Sequence, residues 1–446
     1  MKNKLILIFS LLISFAIFSQ ENKQSFSLQE AIDYALENNR TSKNASRDID
    51  AAYKQKWETI ATGLPQLNAG IDYQDFIKQQ IQVIPADAFG GPKGELAAIE
   101  FSVKQNVNAS ATLSQLIFDG SYIVGLQSAK VFLEISKNAK IKTDLEVRKA
   151  VINAYGNVLL VEESLKILER NKTALEKNVD EITKIFENGL EEEESVEQLK
   201  ITLSGVKSSL NNTRRLKKVA YQMLNMNLGI DIENPTVLTD NLEILTAQNL
   251  NLNFLNTPFS IENTIDYRIA ENDRTSKELL VKLEKSKALP TMSTFLSGGY
   301  LSYSDNFDFL NTDQKYYGFG VFGINLKIPV FSSGLRSAST QRAKINLEKA
   351  KDDLTETEQR LKLQIETAKS DYQFSIEEYA NKKENLNLAE RIEQKNQTKF
   401  FEGIGSSFEL RQAQIQLYTA QQEFLQAMLD VINNKAALET IINEVD

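Results

Sequence analysis

The densest cluster of chemistry-bearing side chains is Glu191–Glu194, inside the stretch KIFENGLEEEESVEQLK (184–200). Four consecutive carboxylates could bind a divalent cation, form an acidic spacer, or dress the tip of a helical turn. Calcium needs about six to eight oxygens brought together by turns, and consecutive residues on a helix diverge. Other chemistry is sparse. The chain has no histidine, so the commonest general base and transition-metal ligand are missing. It has no cysteine either, which removes disulfides, thiolate metal sites, cysteine nucleophiles and thiol-linked lipids. Catalysis would have to rest on carboxylates, lysines or hydroxyls, and no constellation of these stands out. The chain reads as a non-enzyme with no cofactor and no metal. Trp57, the one tryptophan, is assigned to packing. Acids outnumber bases 60 to 51, for a net charge of −9. No basic run is present, which argues against phosphate-driven binding of nucleic acid.

The glutamates sit where a very long helical pattern stops and restarts. From Gly120 to Glu187 no proline interrupts. Leu165, Leu168, Leu175, Val179, Ile182 and Phe186 recur at steps of 3, 7, 4, 3 and 4, a coiled-coil seam. At ~1.5 Å per residue the segment would be a rod of roughly 100 Å. A second rod is predicted over 335–402. Each ends at a glycine suited to the left-handed position after a helix, Gly189 in FENG and Gly403 in FFEG. Lys184 falls in the last turn of the first rod, where a cation opposes the helix dipole. Leu190 is placed to fold back on Ile185. Glu191–Glu194 are expected in the first turn of the next helix, where acids are favoured. In the second tip, Ser406 and Glu409 have capping-box spacing, whereas Glu192 stands where Ser406 does, so the first cap is weaker. Leu190 and Ile404, apolar residues exposed beside the two glycines, predict contact with a partner.

The N-terminus carries Lys2 and Lys4, then the apolar run Leu5–Phe18. That is the form of a secretory signal, too short to span a bilayer, with cleavage expected near Ser19 and a mature charge of −11. No later stretch has the roughly 18 to 20 continuous apolar residues of a membrane helix.

Before each rod the period changes from 3.6 to 2. Leu67, Ala69, Ile71 and Tyr73 alternate with polar residues or glycine, and so do Val107, Ala109, Ala111 and Leu113. Downstream, Phe322, Ile324, Leu326, Ile328 and Val330 share one face. Such strands, ~10 residues long with one apolar and one polar face and aromatic ends, fit an outer-membrane barrel wall. A soluble sandwich has the same alternation. Strands are predicted at about 65–76, 101–118, 291–303 and 317–331, with segments 77–105 and 305–315 as loops facing outside.

The halves correspond in order: GLP (63–65) with ALP (288–290), FDGS (118–121) with FSSGL (331–335), FENG with FFEG. The predicted organisation is a signal peptide over 1–19, a first repeat over 20–229, a joining segment over 230–258 and a second repeat over 259–446, with tips at 188–192 and 403–406. The fold class is mainly α with β, an internally duplicated helix-strand-strand-helix unit. Four strands cannot close a barrel, and open edges are not tolerated in hydrocarbon. Three copies would supply 12 strands and 12 helical columns in a closed cyclic assembly.

FSLQEAIDYALENNR (26–40), GLPQL (63–67), SQLIFDGS (114–121), LKIPVFSSGLR (326–336) and the two aromatic-x-x-Gly tips, in order and duplicated, resemble the TolC-type outer-membrane factors of tripartite efflux and type I secretion systems. The resemblance covers nearly the whole mature chain. It implies a homotrimer whose 12-stranded β-barrel lies in the lipid of a Gram-negative outer membrane. A coiled-coil α-barrel would extend into the periplasm, with an equatorial belt from about 230–258. It also implies an export channel that docks a periplasmic adaptor (membrane fusion) protein and an inner-membrane RND, ABC or MFS transporter. The docking tips would be Gly189, Leu190, Gly403 and Ile404. The periplasmic constriction would fall at Glu409, Gln412, Phe400 and Gly405. Glu409 matches the first constriction acid of the family, but Gln412 replaces a second acid, and Phe400 and Gly405 stand where a gating tyrosine and arginine would be. A ring of three Glu409 carboxylates favouring cations is therefore expected, without the usual ionic latch. The chain ends soon after its last helix, so a C-terminal contribution to the belt is expected to be small. The alternatives are a type I protein-secretion duct and, in a different class, a periplasmic coiled-coil adaptor or scaffold.

Overall fold

The computed structural model describes residues 24–100, 103–256 and 259–443, so the predicted signal peptide lies outside the described residues. Helices and strands follow the predicted order. Strand β1 (Gln24–Phe26) leads into α1 (Leu28–Asn38) and α2 (Arg40–Ala61). Strands β2 (Gln66–Asp75), β3 (Ile81–Pro85), β4 (Leu96–Glu100) and β5 (Gln105–Asp119) come next, then α3 (Gly120–Glu187) and α4 (Glu193–Leu228). After β6 (Thr236–Leu238) and α5 (Leu242–Gln248), the second half has α6 (Ile265–Ser286), β7 (Thr291–Ser304), β8 (Tyr317–Lys327), α7 (Leu335–Phe401) and α8 (Ser407–Ile442).

Two compact units divide the chain, and both cut across the repeats. One comprises Ala51–Glu134 and Asn272–Lys351; the other takes the residues up to Asp50, Ile135–Glu271 and those from Asp352 on. The repeat is thus a property of chain order, while each compact unit is assembled from both halves.

The first unit contains an antiparallel sheet in the order β2-β5-β7-β8. Its register puts the alternation to work. Leu67 lies opposite Leu113, Leu113 opposite Leu296, and Leu296 opposite Phe322, so one face is apolar across all four strands. The other face carries Asn68, Thr112, Ser297 and Asn325, and Thr112 and Ser297 share a hydroxyl hydrogen bond of 2.8 Å. Among the described residues, neither edge strand, β2 nor β8, pairs with a further strand. The duplicated sequence signatures are its corners. In GLPQL, the Tyr122 hydroxyl donates to the Ile60 carbonyl and its ring fills the space that any Cβ at Gly63 would need, 2.3 Å away. In FDGS, the Asp119 carboxylate accepts from the Ser121 and Tyr122 amides, which caps α3.

Two strand expectations change. Strand β8 stops at Lys327 rather than reaching 331, because Pro329 has no N–H for a ladder and restricts its predecessor. The Arg336 guanidinium instead donates to the Pro329 carbonyl, at 2.7 Å. Segment 77–105 is not a plain loop: β3 and β4 form an antiparallel hairpin within it.

In the second unit, the segment joining the repeats forms a side layer. Strand β6 pairs in parallel with β1. The fully buried Tyr155 of α3 donates its hydroxyl toward the Asp240 carboxylate and the Phe26 carbonyl, each 2.9 Å away. The fully buried Tyr372 of α7 donates to the Asn249 carbonyl and accepts from the Asn251 amide. Each long helix therefore clamps the joining segment with one buried tyrosine.

Candidate functional site

The two tips stand beside one another. At the first, the Gly189 amide donates to Phe186 at 2.8 Å and the Leu190 amide to Ile185 at 3.1 Å, with Gly189 at φ 72. This is a Schellman stop. The second repeats it: Gly403, at φ 74, donates to Phe400, and Ile404 donates to Lys399, each at 3.0 Å. The backbone makes these stops without help from the apolar side chains. Leu190 is 79% exposed and Ile404 73%, so Leu190 does not cover Ile185 as expected. Phe408 is a further exposed apolar residue here, with the Arg411 guanidinium 5.4 Å from its ring centroid.

The caps differ between the tips. Ser406 and Glu409 form a reciprocal capping box, the Glu409 carboxylate accepting from the Ser406 amide at 3.1 Å. Glu192 occupies the cap of α4 without a side-chain hydrogen bond. Helix α4 starts at Glu193, so only Glu193 and Glu194 lie in its first turn, not all four glutamates. Glu191 accepts from the Ser195 hydroxyl and Glu194 from Gln198. The carboxylates spread along the turn instead of converging, and among the described residues no acidic group is arranged to hold a metal.

The coiled-coil seam supports this pair of tips. Leu168, Leu175 and Ile182 are buried with Val196, Leu199, Phe400 and Leu410. Phe186 is exposed, so the seam closes one step earlier than predicted. Phe400, a predicted constriction residue, is buried in this core with its ring 5.3 Å from that of Phe401. Glu409 and Gln412 are exposed, and Gly405 packs against Lys399.

Two polar features escaped the sequence reading. The Ser195 and Ser407 hydroxyls are hydrogen-bonded at 2.8 Å and tie one tip to the other. Behind the tips, Asn171 donates to Gln421 at 2.8 Å and Gln397 to Asn178 at 3.3 Å. Asn171 fills the seven-residue gap in the seam, which was the one sequence signal for it. Glu393 lies in the same layer, hydrogen-bonded to the buried Gln414. Burial raises the Glu393 carboxyl above its ordinary range, partly offset by that hydrogen bond. Burial, with the Glu393 charge nearby, likewise raises the Tyr418 phenol.

A carboxyl raised in the folded state binds its proton more tightly there than in the unfolded chain. Its stabilising contribution is complete below the unfolded value of 4.5 and is lost as pH rises through the folded one. Glu393→Gln keeps the neutral form permanently. The variant is expected to melt higher than the parent at neutral pH and to converge with it below about pH 4, as read by circular dichroism of the helices. Equal melting temperatures at pH 7 would contradict the expectation.

Residues 261–444 match the outer membrane efflux protein family. The outer membrane protein TolC of Vibrio cholerae serotype O1 is 23% identical over 340 residues, 73% of this chain and 70% of that protein. The family match covers the second half of the chain. The matching family is named for efflux, and the Vibrio cholerae relative is an outer membrane protein. Solved structures share the fold along almost the whole chain. CusC, whose structures concern transmembrane channel formation, has a TM-score of 0.74 at 18% identity, over 93% of this chain and 91% of its own. The CmeC outer membrane channel of Campylobacter jejuni has a TM-score of 0.73 at 17% identity, over 94% and 85%.

Proposed function

We propose that three copies of this chain form an efflux channel that exports substrates across the outer membrane. One observation carries the reading: a four-stranded sheet with one apolar face, one polar face and two open edges of opposite direction. Because strand direction alternates from β2 to β8, the β8 of one copy meets the β2 of the next in antiparallel fashion. Three sheets then close as 12 alternating strands with no edge left in hydrocarbon. The apolar face meets lipid and the polar face lines a water-filled bore. In this reading the helical unit forms the periplasmic tunnel. Gly189–Leu190 and Gly403–Ile404 receive a periplasmic adaptor that links the channel to an energised inner-membrane transporter.

Purified protein in planar lipid bilayers tests the reading. Discrete conductance steps with a preference for cations are expected. Glutamine satisfies a capping box as glutamate does, so Glu409→Gln removes charge without removing the cap. That variant is expected to lose part of the cation preference at unchanged protein level. Absence of steps would contradict the channel. Steps with unaltered selectivity in Glu409→Gln would remove Glu409 from the bore.

A further inference from the structure

The loop between β7 and β8 does not extend freely beyond the sheet. It crosses β5 and lies on the apolar face at the edge strand β2. Phe307 and Phe309 meet Tyr73 edge-on, with ring centroids 5.6 and 6.0 Å away, and lie 5.9 Å from each other. Tyr73 shares the apolar face: it pairs with Val107, and Val107 with Ser302. Ser302 is wholly covered, its hydroxyl donating to the Lys315 carbonyl at 2.8 Å and accepting from Gln314 at 2.7 Å. The Tyr316 hydroxyl donates to the Phe309 carbonyl at 2.6 Å, and Asp305 accepts from the Lys104 amide at 3.2 Å. The loop is therefore held in a set shape. Phe309 is 5% exposed and serves as its base, while Phe307 is 61% and Leu310 87% exposed.

A loop fixed this firmly, with two large apolar side chains presented outward, needs a cover. We infer that loop 305–316 is a preformed wedge seated in the outer leaflet, with Phe307 and Leu310 among the upper acyl chains. The inference rests on the outer-membrane reading of the sheet. Three observations select lipid as the cover. The loop continues the apolar face that includes Ile71, Tyr300 and Phe322, all exposed, and soluble monomers rarely leave so large an apolar patch open. Its height also fits. From the Met292–Leu326 pair up to Tyr300, about eight residues at ~3.4 Å each, tilted by about 40°, span roughly 20 Å. The rings of Tyr73 and Phe307 thus fall at the top of an apolar band of the usual height, roughly 25 Å, where aromatic residues collect. Finally, the same loop carries Asp305, Asp308, Asp313 and Lys315, which give it a polar side for headgroups and water. A wedge of this kind would fix the height of the channel in the membrane and brace the β2 edge, where the next copy joins.

The test uses the single tryptophan of the chain. In a Trp57→Phe background, Phe307→Trp and Phe322→Trp each place one fluorophore, the first at the wedge and the second roughly 15 Å deeper on the wall. Protein is reconstituted into phosphatidylcholine vesicles brominated either near the headgroup end or near the methyl end of the acyl chain. The expected result is at least twofold quenching of the Phe307→Trp protein by the shallow bromine and weaker quenching by the deep one. The Phe322→Trp protein should show the reverse order. Quenching at the wall position with none at the loop would overturn the wedge and leave the barrel standing, the loop then lying in water or against a neighbouring copy. No quenching at either position would overturn the barrel, and the wedge with it.

Discussion

Leu296→Arg is expected to remove the protein from outer membranes, while the adjacent Ser297→Arg is assembled at close to parental levels. The two side chains belong to one central strand at one depth and differ only in face. Leu296 lies opposite Leu113 and Phe322 on the apolar side, and Ser297 opposite Thr112 and Val321 on the other. Arginine facing lipid near mid-membrane costs about 2–4 kcal/mol per chain, hence roughly 6–12 kcal/mol over three copies. That rivals the whole stability of a typical domain, about 5–15 kcal/mol. Ser297→Arg loses a single hydroxyl hydrogen bond to Thr112, worth about 0.5–1.5 kcal/mol, and its guanidinium reaches water in the bore. A soluble sheet would give a different answer. Leu296 is exposed in the single chain, and surface substitutions in soluble proteins usually fall within about 0.5 kcal/mol. The amount of oligomer in outer-membrane fractions decides between them, and equal levels of both variants would exclude a lipid-facing apolar side.

The second large effect falls on the tips and is expected to separate export from assembly. Leu190→Asp combined with Ile404→Asp should abolish export while the oligomer reaches the membrane in normal amount. The stops at Gly189 and Gly403 are made by backbone hydrogen bonds, and both side chains are largely exposed, so their replacement leaves the fold intact. If these residues anchor an adaptor, each acts as a buried apolar contact in the complex. Truncating such a contact costs about 2 kcal/mol or more, roughly 30-fold in affinity, and a buried unpaired carboxylate adds to the cost. Export is read as drug resistance or secretion restored to a host lacking its own channel, and docking as crosslinking from the tips to the adaptor. Full export by a normally assembled double variant would remove the tips from docking.

What could be read in the sequence was what repeats with a fixed period. Alternation in β2, β5 and β8 assigned residues to faces correctly because side-chain direction in a strand depends only on residue parity. The long helices were legible because nothing breaks them, and their ends because glycine alone takes the left-handed position without cost. The parallel pairing of β1 with β6 was not legible, since three residues carry no period and their partner lies more than 200 residues away. The Ser195–Ser407 bond and the polar layer around Asn171 also join distant segments, and one-dimensional pattern cannot pair such residues. For the β3–β4 hairpin the signal was present but weak, in short apolar runs separated by the Gly90–Gly91 and Pro92 turn.

Closure of three sheets through β2 and β8 can be tested directly because the chain has no cysteine. One cysteine is placed at Leu67, Ala69 or Ile71 in β2, and a second at Phe322, Ile324 or Leu326 in β8. Paired antiparallel residues lie about 4.5–5.5 Å apart at Cα, within the range of a disulfide. After mild oxidation in intact outer membranes, at least one combination should give a covalent species of three chains, about 150 kDa from a 50.3 kDa monomer, and nothing larger. Monomers at every register, or a ladder that continues beyond three, would contradict a closed trimeric barrel.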